Sequence, residues 1–170
     1  MKRGFTLIEI LISIAILSIV VTGIIAVLRI GDMAWHSDMG LVDLQQAARQ
    51  VMDGMVREIR QSLASTVTIG ATGADITFSI PNIPNIKYYL SNAQIIRQQP
   101  AGTGTTKVLA NAINNLSFCW DHGSTCDTNR NGSYMIKMQL KARKTVMQKT
   151  LSFPVLEGEY LTEKVRLRNE

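Results

Sequence analysis

Few residues in this 170-residue chain are of types that carry chemistry. The two histidines, His36 and His122, stand in no H-E-x-x-H pair, and neither a G-x-S-x-G turn nor a placeable Cys/His/Asn set accompanies them. The densest cluster lies around Cys119, Asp121, His122 and Cys126, and it runs on through Asp127-Thr128-Asn129-Arg130-Asn131-Gly132. Asp127, Asn129 and Asn131 alternate ahead of a glycine as in the first half of a calcium loop, where oxygens at alternate positions converge on the ion and the glycine permits the sharp turn. The twelfth position, which should hold a bidentate carboxylate, is Met138. Two readings stay open: a weak calcium site at Asp127, Asn129 and Asn131, or a hairpin turn at Asn131-Gly132, with the turn the better supported. His122 reads as a surface residue. No nucleophile and base can be paired, so the expectation is a protein that is not an enzyme and that needs no cofactor beyond that calcium.

One further carboxylate stands out by its surroundings. Glu9 precedes an apolar run, residues 10–28, that contains no charge and no proline. As a helix that run covers ~28 Å, about the thickness of a bilayer core. Lys2 and Arg3 lie ahead of it, and basic flanks stay cytoplasmic, so the bulk of the chain should face the other side of the membrane. A cleaved secretory signal fits poorly, because the run is long, no A-x-A-like site follows it, and Glu9 sits in its first turn. An unpaired acid near the membrane core costs on the order of 2.5 kcal/mol or more, so Glu9 calls for a cationic partner.

Gly4-Phe5-Thr6-Leu7-Ile8-Glu9 on a short basic leader resembles the processing site of the type IV prepilin family. The resemblance implies cleavage after Gly4 by the prepilin peptidase, N-methylation of the new terminal Phe5, and a role for Glu9 in assembly, paired with the free amino terminus of a neighbouring subunit. It also implies a pilin-like fold, a long amino-terminal helix on an antiparallel sheet. The implied location is the inner membrane, crossed once, with the carboxy-terminal domain in the periplasm, followed by a pilus or pseudopilus built with other pilins or pseudopilins.

Charge and cysteine content agree with such a protein. The net charge of +5 falls to +3 once Lys2 and Arg3 leave with the leader, too mild a balance to indicate nucleic acid as a partner. The clusters Lys137, Lys141, Arg143, Lys144, Lys149 and Lys164, Arg166, Arg168 read as solvated faces of strands. The only cysteines, Cys119 and Cys126, lie beyond the membrane run. In an oxidising compartment they read as one disulfide, a local staple that constrains the unfolded chain by roughly 2.5 kcal/mol, with two free thiols as the alternative.

The elements that must position these residues follow from periodicity. Residues 1–4 form the leader, 5–30 the membrane and assembly helix, 31–64 an amphipathic continuation, and 65–170 a β-rich globular part. In the continuation Val42, Leu44, Ala48, Val51, Met52, Met55, Val56, Ile59 and Leu63 recur at spacings of three and four, with Arg49, Asp53, Arg57 and Glu58 among those filling the opposite side. Met39, Met52 and Met55 read as core or interface filling rather than metal ligands. Gly31 and Gly40 weaken the helix between the two halves. Strands are expected over 76–80, 86–90, 94–98, 113–120, 134–141, 146–153 and 160–169, with Pro81-Asn82-Ile83-Pro84 a loop and Pro100 to Gly104 a flexible one. Alternation of Met135, Lys137, Gln139 and Lys141 with Ile136, Met138, Leu140 and Ala142 marks a half-buried edge or outer strand. The fold class is therefore α+β, one helix laid on an antiparallel sheet.

Beyond the leader, the chain resembles the minor subunits labelled W in type IV pili and J in type II secretion. The segments that carry this are Leu44-Gln45-Gln46-Ala47-Ala48-Arg49 with Arg57-Glu58-Ile59-Arg60, then Lys87-Tyr88-Tyr89-Leu90 before Arg97, then Leu116-Ser117-Phe118, and the closing Val165-Arg166-Leu167-Arg168-Asn169. The helix-bending proline of many major pilins is missing, since all four prolines lie after residue 80. This implies a structural minor pilin or pseudopilin at or near a filament tip that primes assembly. The alternative is a DNA-uptake or adhesin subunit that binds its ligand through the carboxy-terminal β part.

Overall fold

A computed structural model describes residues 6–123, 125–146, 149–154 and 158–168. The chain divides between Met39 and Gly40 into two units. Helix α1, Leu7–Ile59, contributes to both and is helical through Gly31 and Gly40 without interruption.

In the first unit the apolar side chains of α1 from Leu7 to Trp35 are exposed, as a lipid-facing helix requires. Its first-turn N–H groups and its hydroxyls are satisfied from within. The Thr6 carbonyl accepts the N–H groups of Glu9 and Ile10, and the Thr6 hydroxyl lies 3.4 Å from the Glu9 nitrogen. Ser13, Ser18 and Thr22 donate their hydroxyls to the carbonyls of Glu9, Ala15 and Ser18 at 2.7–2.8 Å, so no hydroxyl in the run needs water.

The second unit has its own core. From α1, the buried residues Gly40, Leu44, Ala48, Val51, Met52, Met55 and Ile59 form one stripe. The helix ends at Ile59, where buried Ser62 donates its hydroxyl to the Ile59 carbonyl at 2.7 Å. Leu63 therefore lies beyond the helix and is exposed, and so is Val42, both of which the periodicity assigned to the core; Met39 is exposed as well. A 3-10 turn at Ala64–Thr66 leads into the strands.

Two antiparallel sheets complete the unit. The first is a meander of β1 (Thr68–Ile69), β2 (Asp75–Ile80), β3 (Ile83–Ser91), β4 (Gln94–Gln99) and β5 (Thr105–Ala110) in sequence order. The second has the order β10 (Leu161–Arg166), β8 (Met135–Val146), β6 (Ile113–Asp121), β7 (Cys126–Asp127), with β9 (Lys149–Phe153) also on β8. Backbone hydrogen bonds tie the sheets together, from the Phe118 N–H to the Gly73 carbonyl at 2.7 Å and from the Ile113 N–H to the Ala93 carbonyl at 3.0 Å. Gly73 is held at φ 71°, and a Cβ there would lie 2.9 Å from the Phe118 carbonyl oxygen, so this tie requires glycine. A single core cluster joins α1 to both sheets, with Phe78, Tyr88, Phe118 and Trp120 its largest buried side chains.

Three expectations change. Only Pro81 and Asn82 form the turn between β2 and β3, with Asn82 at φ 67°; Ile83 already pairs with Ile80, and Pro84 falls at a register irregularity, where its missing N–H breaks no ladder. β5 was not expected at all. β8 is interior: β6 flanks one side, and β10 and β9 share the other, pairing with its first and last halves. It alternates because one face packs on the core and the other meets solvent, a pattern that does not separate a central strand from an edge.

Candidate assembly site

In the first turn of α1, Glu9 shares one helix face with Ile10, Ser13, Ile14 and Leu17, which together line a shallow and almost wholly apolar groove. Among the described residues Glu9 forms no ion pair. The nearest basic residue further along the helix, Arg29, lies ~30 Å away at ~1.5 Å per residue. The face thus presents a lone carboxylate on an exposed apolar surface. Gly4 and Phe5, the residues expected at the cleavage and methylation point, lie outside the described residues.

Within the second unit, the end of α1 is locked to the first sheet by a polar cluster. Tyr88 donates its hydroxyl to Glu58 Oε2 at 2.8 Å, and Arg97 donates from Nε to the same oxygen at 3.0 Å. Arg97 Nη1 also donates to Gln99 Oε1 at 2.9 Å. Burial, reinforced by the adjacent Glu58 carboxylate, pushes the Tyr88 hydroxyl well above its ordinary value. Burial alone would lower Arg97; the Glu58 hydrogen bond and charge outweigh it, and the guanidinium is raised. Sequence reasoning put Glu58 on the solvent side and missed this cluster. A signal was present, since Glu58 follows Val51 by seven positions and Met55 by three, and so falls on the apolar stripe. A cavity of about 440 Å³ beside the cluster is bounded by Gly54, Lys107 and Val108.

Residues 1–25 match the family model of the prokaryotic N-terminal methylation motif. The chain carries a prepilin-type amino terminus. That match, together with a long apolar helix and antiparallel sheets, supports a type IV prepilin-like protein of α+β, pilin-like architecture. It implies processing by the prepilin peptidase and assembly with other pilins, and it fits an inner-membrane anchor. No match to a curated protein was found.

The remaining candidate residues of this prepilin-like chain lie at the far end of β6. Cys119 and Cys126 are joined in a disulfide, with Cα atoms 5.4 Å apart, across the short β6–β7 pairing. Asp121 accepts from Lys164 Nζ at 2.6 Å and from the Gly123 N–H at 3.0 Å, and these bonds hold its carboxyl below the usual range. The Asp127 carboxylate accepts the Asn129 N–H at 3.3 Å, an Asx turn. Asn131 and Gly132 take φ 39° and 82°, with the Ser133 N–H bonded to the Arg130 carbonyl, which is the geometry of a tight turn. Met138, at the position where a calcium loop needs its bidentate carboxylate, is fully buried in the core. His122 Nε2 lies 3.2 Å from the Asn129 carbonyl oxygen, and among the described residues its ring forms no ion pair.

Proposed function

We propose that the chain is a structural minor pilin or pseudopilin, placed at or near the tip of a type IV pilus or type II secretion pseudopilus, where it offers its amino-terminal helix to the next subunit and so primes assembly. The observation that carries this reading is Glu9, a carboxylate without an ion partner among the described residues, on an exposed apolar helix inside the matched methylation motif. A charge so placed is stabilised when a cation reaches it, and the free amino terminus of a neighbouring processed subunit is such a cation. Two features support a minor rather than a major subunit. Helix α1 contains no proline. In addition, Glu58, Tyr88 and Arg97, which belong to the segments resembling the W and J subunits, meet in one cluster.

The test removes the carboxylate alone. Glu9→Leu should leave membrane insertion, leader cleavage and the fold of the second unit intact, because none of these uses the acid. Co-purification of partner pilins and the number of filaments per cell should both fall at matched expression. Equal co-purification and equal filament numbers would remove Glu9 from the mechanism.

A further inference from the structure

The outer face of the second sheet carries a pocket that the assembly reading does not use. Strand β8 brings Lys141 and Arg143 to it, and β9 adds the hydroxyls of Ser152, which pairs with Arg143, and Thr150. From β6 come Asn114 and Asn115 together, which a regular strand forbids, since adjacent residues point to opposite faces. The register explains it. Ile113 pairs with Ala142 and Asn115 with Lys141, so Asn114 is the extra residue of a β-bulge, and bulges re-aim side chains in this way. Tyr160, just ahead of β10, also lines the pocket, with Lys141 Nζ 5.9 Å from its ring centroid.

The lining is chemically one-sided. Among the described residues it holds two cations, two amides and three hydroxyls, with no carboxylate and no aliphatic side chain. Among the described residues neither Lys141 nor Arg143 forms an ion pair, whereas Lys164, on the same sheet, is paired with Asp121. Amides and hydroxyls both donate and accept, which suits a ligand rich in hydroxyls. Two unpaired cations call for negative charge on that ligand, and arginine in particular suits a carboxylate. The tyrosine ring offers a flat surface for the C–H face of a pyranose. We propose that this pocket binds an acidic sugar, a carboxylate-bearing pyranose of the uronic acid type within a polysaccharide. Its volume of about 440 Å³ lies within the range of small-ligand sites, roughly 300–1,000 Å³. Nucleic acid fits less well, because single strands need a run of aromatic platforms along a basic groove, and one tyrosine lines this pocket.

The test uses the full chain in a polyoxyethylene detergent, whose head group carries no sugar, and calorimetric titration with trigalacturonate, uncharged galactotriose and a short DNA duplex. Trigalacturonate should bind at least about tenfold more tightly than galactotriose. Lys141→Ala and Arg143→Ala should each weaken it by about tenfold, as expected for loss of a charged hydrogen bond. Asn115→Asp, nearly the same size, should abolish binding of the charged trimer while the thermal melt is unchanged. Lys144→Ala, whose side chain lines a different cavity, should have no effect. Failure of trigalacturonate to bind, equal binding of the two trisaccharides, or retention of affinity in Asn115→Asp would overturn the proposal. Tighter binding of the duplex, lost in Arg143→Ala, would overturn it in favour of nucleic acid.

Discussion

The carboxylates of Asp121 and Glu58 do opposite kinds of work at the residue scale. Asp121 is held ionised by Lys164 and by the Gly123 N–H, so its folded-state pKa lies below its unfolded value of about 3.9. A group lowered on folding stabilises the protein above the unfolded pKa and loses that stabilisation as pH falls through the folded pKa. Asp121→Asn should therefore lower the urea midpoint by a constant amount from pH 7 to about pH 5, and the gap to wild type should close below about pH 4. A gap that persisted undiminished at pH 3 would show that the carboxylate charge is not what matters. Glu58 instead satisfies two donors at once, and truncating it leaves the Tyr88 hydroxyl and the Arg97 Nε without that acceptor. Glu58→Ala should cost about 2 kcal/mol and Glu58→Gln about half as much, since an amide oxygen still accepts but carries no charge. Fluorescence of Trp120, buried in the core, reports the unfolding. Glu9 was legible in the sequence because its significance is local, an acid beside an apolar run. The Glu58 cluster was not, because the place of Glu58 on the apolar stripe names no partner, and its partners lie 30 and 39 residues away.

Among the elements, the helices and strands that could be read from the sequence are those with one wet and one dry face. β2, β3, β6 and β8 bury alternate residues against the core, and their periodicity shows it, whereas β4 buries only Ile95. β5 escaped because its first four residues are all exposed, so Thr105-Thr106-Lys107-Val108 carries no alternation for a pattern to detect. The bulge at Asn114 escaped because only the pairing of β6 with β8 reveals it. Glycines on α1 were equally ambiguous. Gly40 and Gly54 look alike in sequence, yet a Cβ at Gly40 would stand 3.1 and 3.2 Å from methyl groups of Val146 and Leu151, while one at Gly54 would meet nothing within 4 Å. Gly54→Ala should thus stabilise the second unit by about 0.5–1 kcal/mol through helix propensity alone. Gly40→Ala should be close to neutral, the propensity gain being offset by crowding, and Gly40→Leu should destabilise by about 1–3 kcal/mol through overpacking against β8 and β9. Chemical unfolding of the three variants gives the order Gly54→Ala, Gly40→Ala, Gly40→Leu from most to least stable. A stable Gly40→Leu would show that the strands do not press on the helix there.

For the whole molecule, the amino terminus decides whether an anchored precursor becomes an assembly subunit. Before processing, the apolar run is preceded by Lys2 and Arg3, basic flanks of the kind that favour the cytoplasmic side, and the chain has net charge +5. Cleavage after Gly4 would remove both charges and create a new amine at Phe5, five positions into the old chain and close in sequence to Glu9. On the proposed reading a processed subunit would carry both halves of the assembly contact at one end, a positive terminus for one neighbour and the Glu9 carboxylate for another, while the second unit keeps its own core. Processing should accordingly be separable from folding. In cells that carry the peptidase, intact-mass measurement of membrane-extracted protein should show a chain beginning at methylated Phe5. Gly4→Val, which places a branched side chain at the scissile bond, should instead leave the chain beginning at Met1. The uncleaved variant should still insert, still form the Cys119–Cys126 bridge, and unfold at the same urea concentration as the mature protein, because the second unit has a core of its own. It should be missing from sheared filaments. A wild-type chain that retained Met1 in such cells would refute the processing, and Gly4→Val protein found in filaments at wild-type levels would show that assembly does not depend on the amine that cleavage creates.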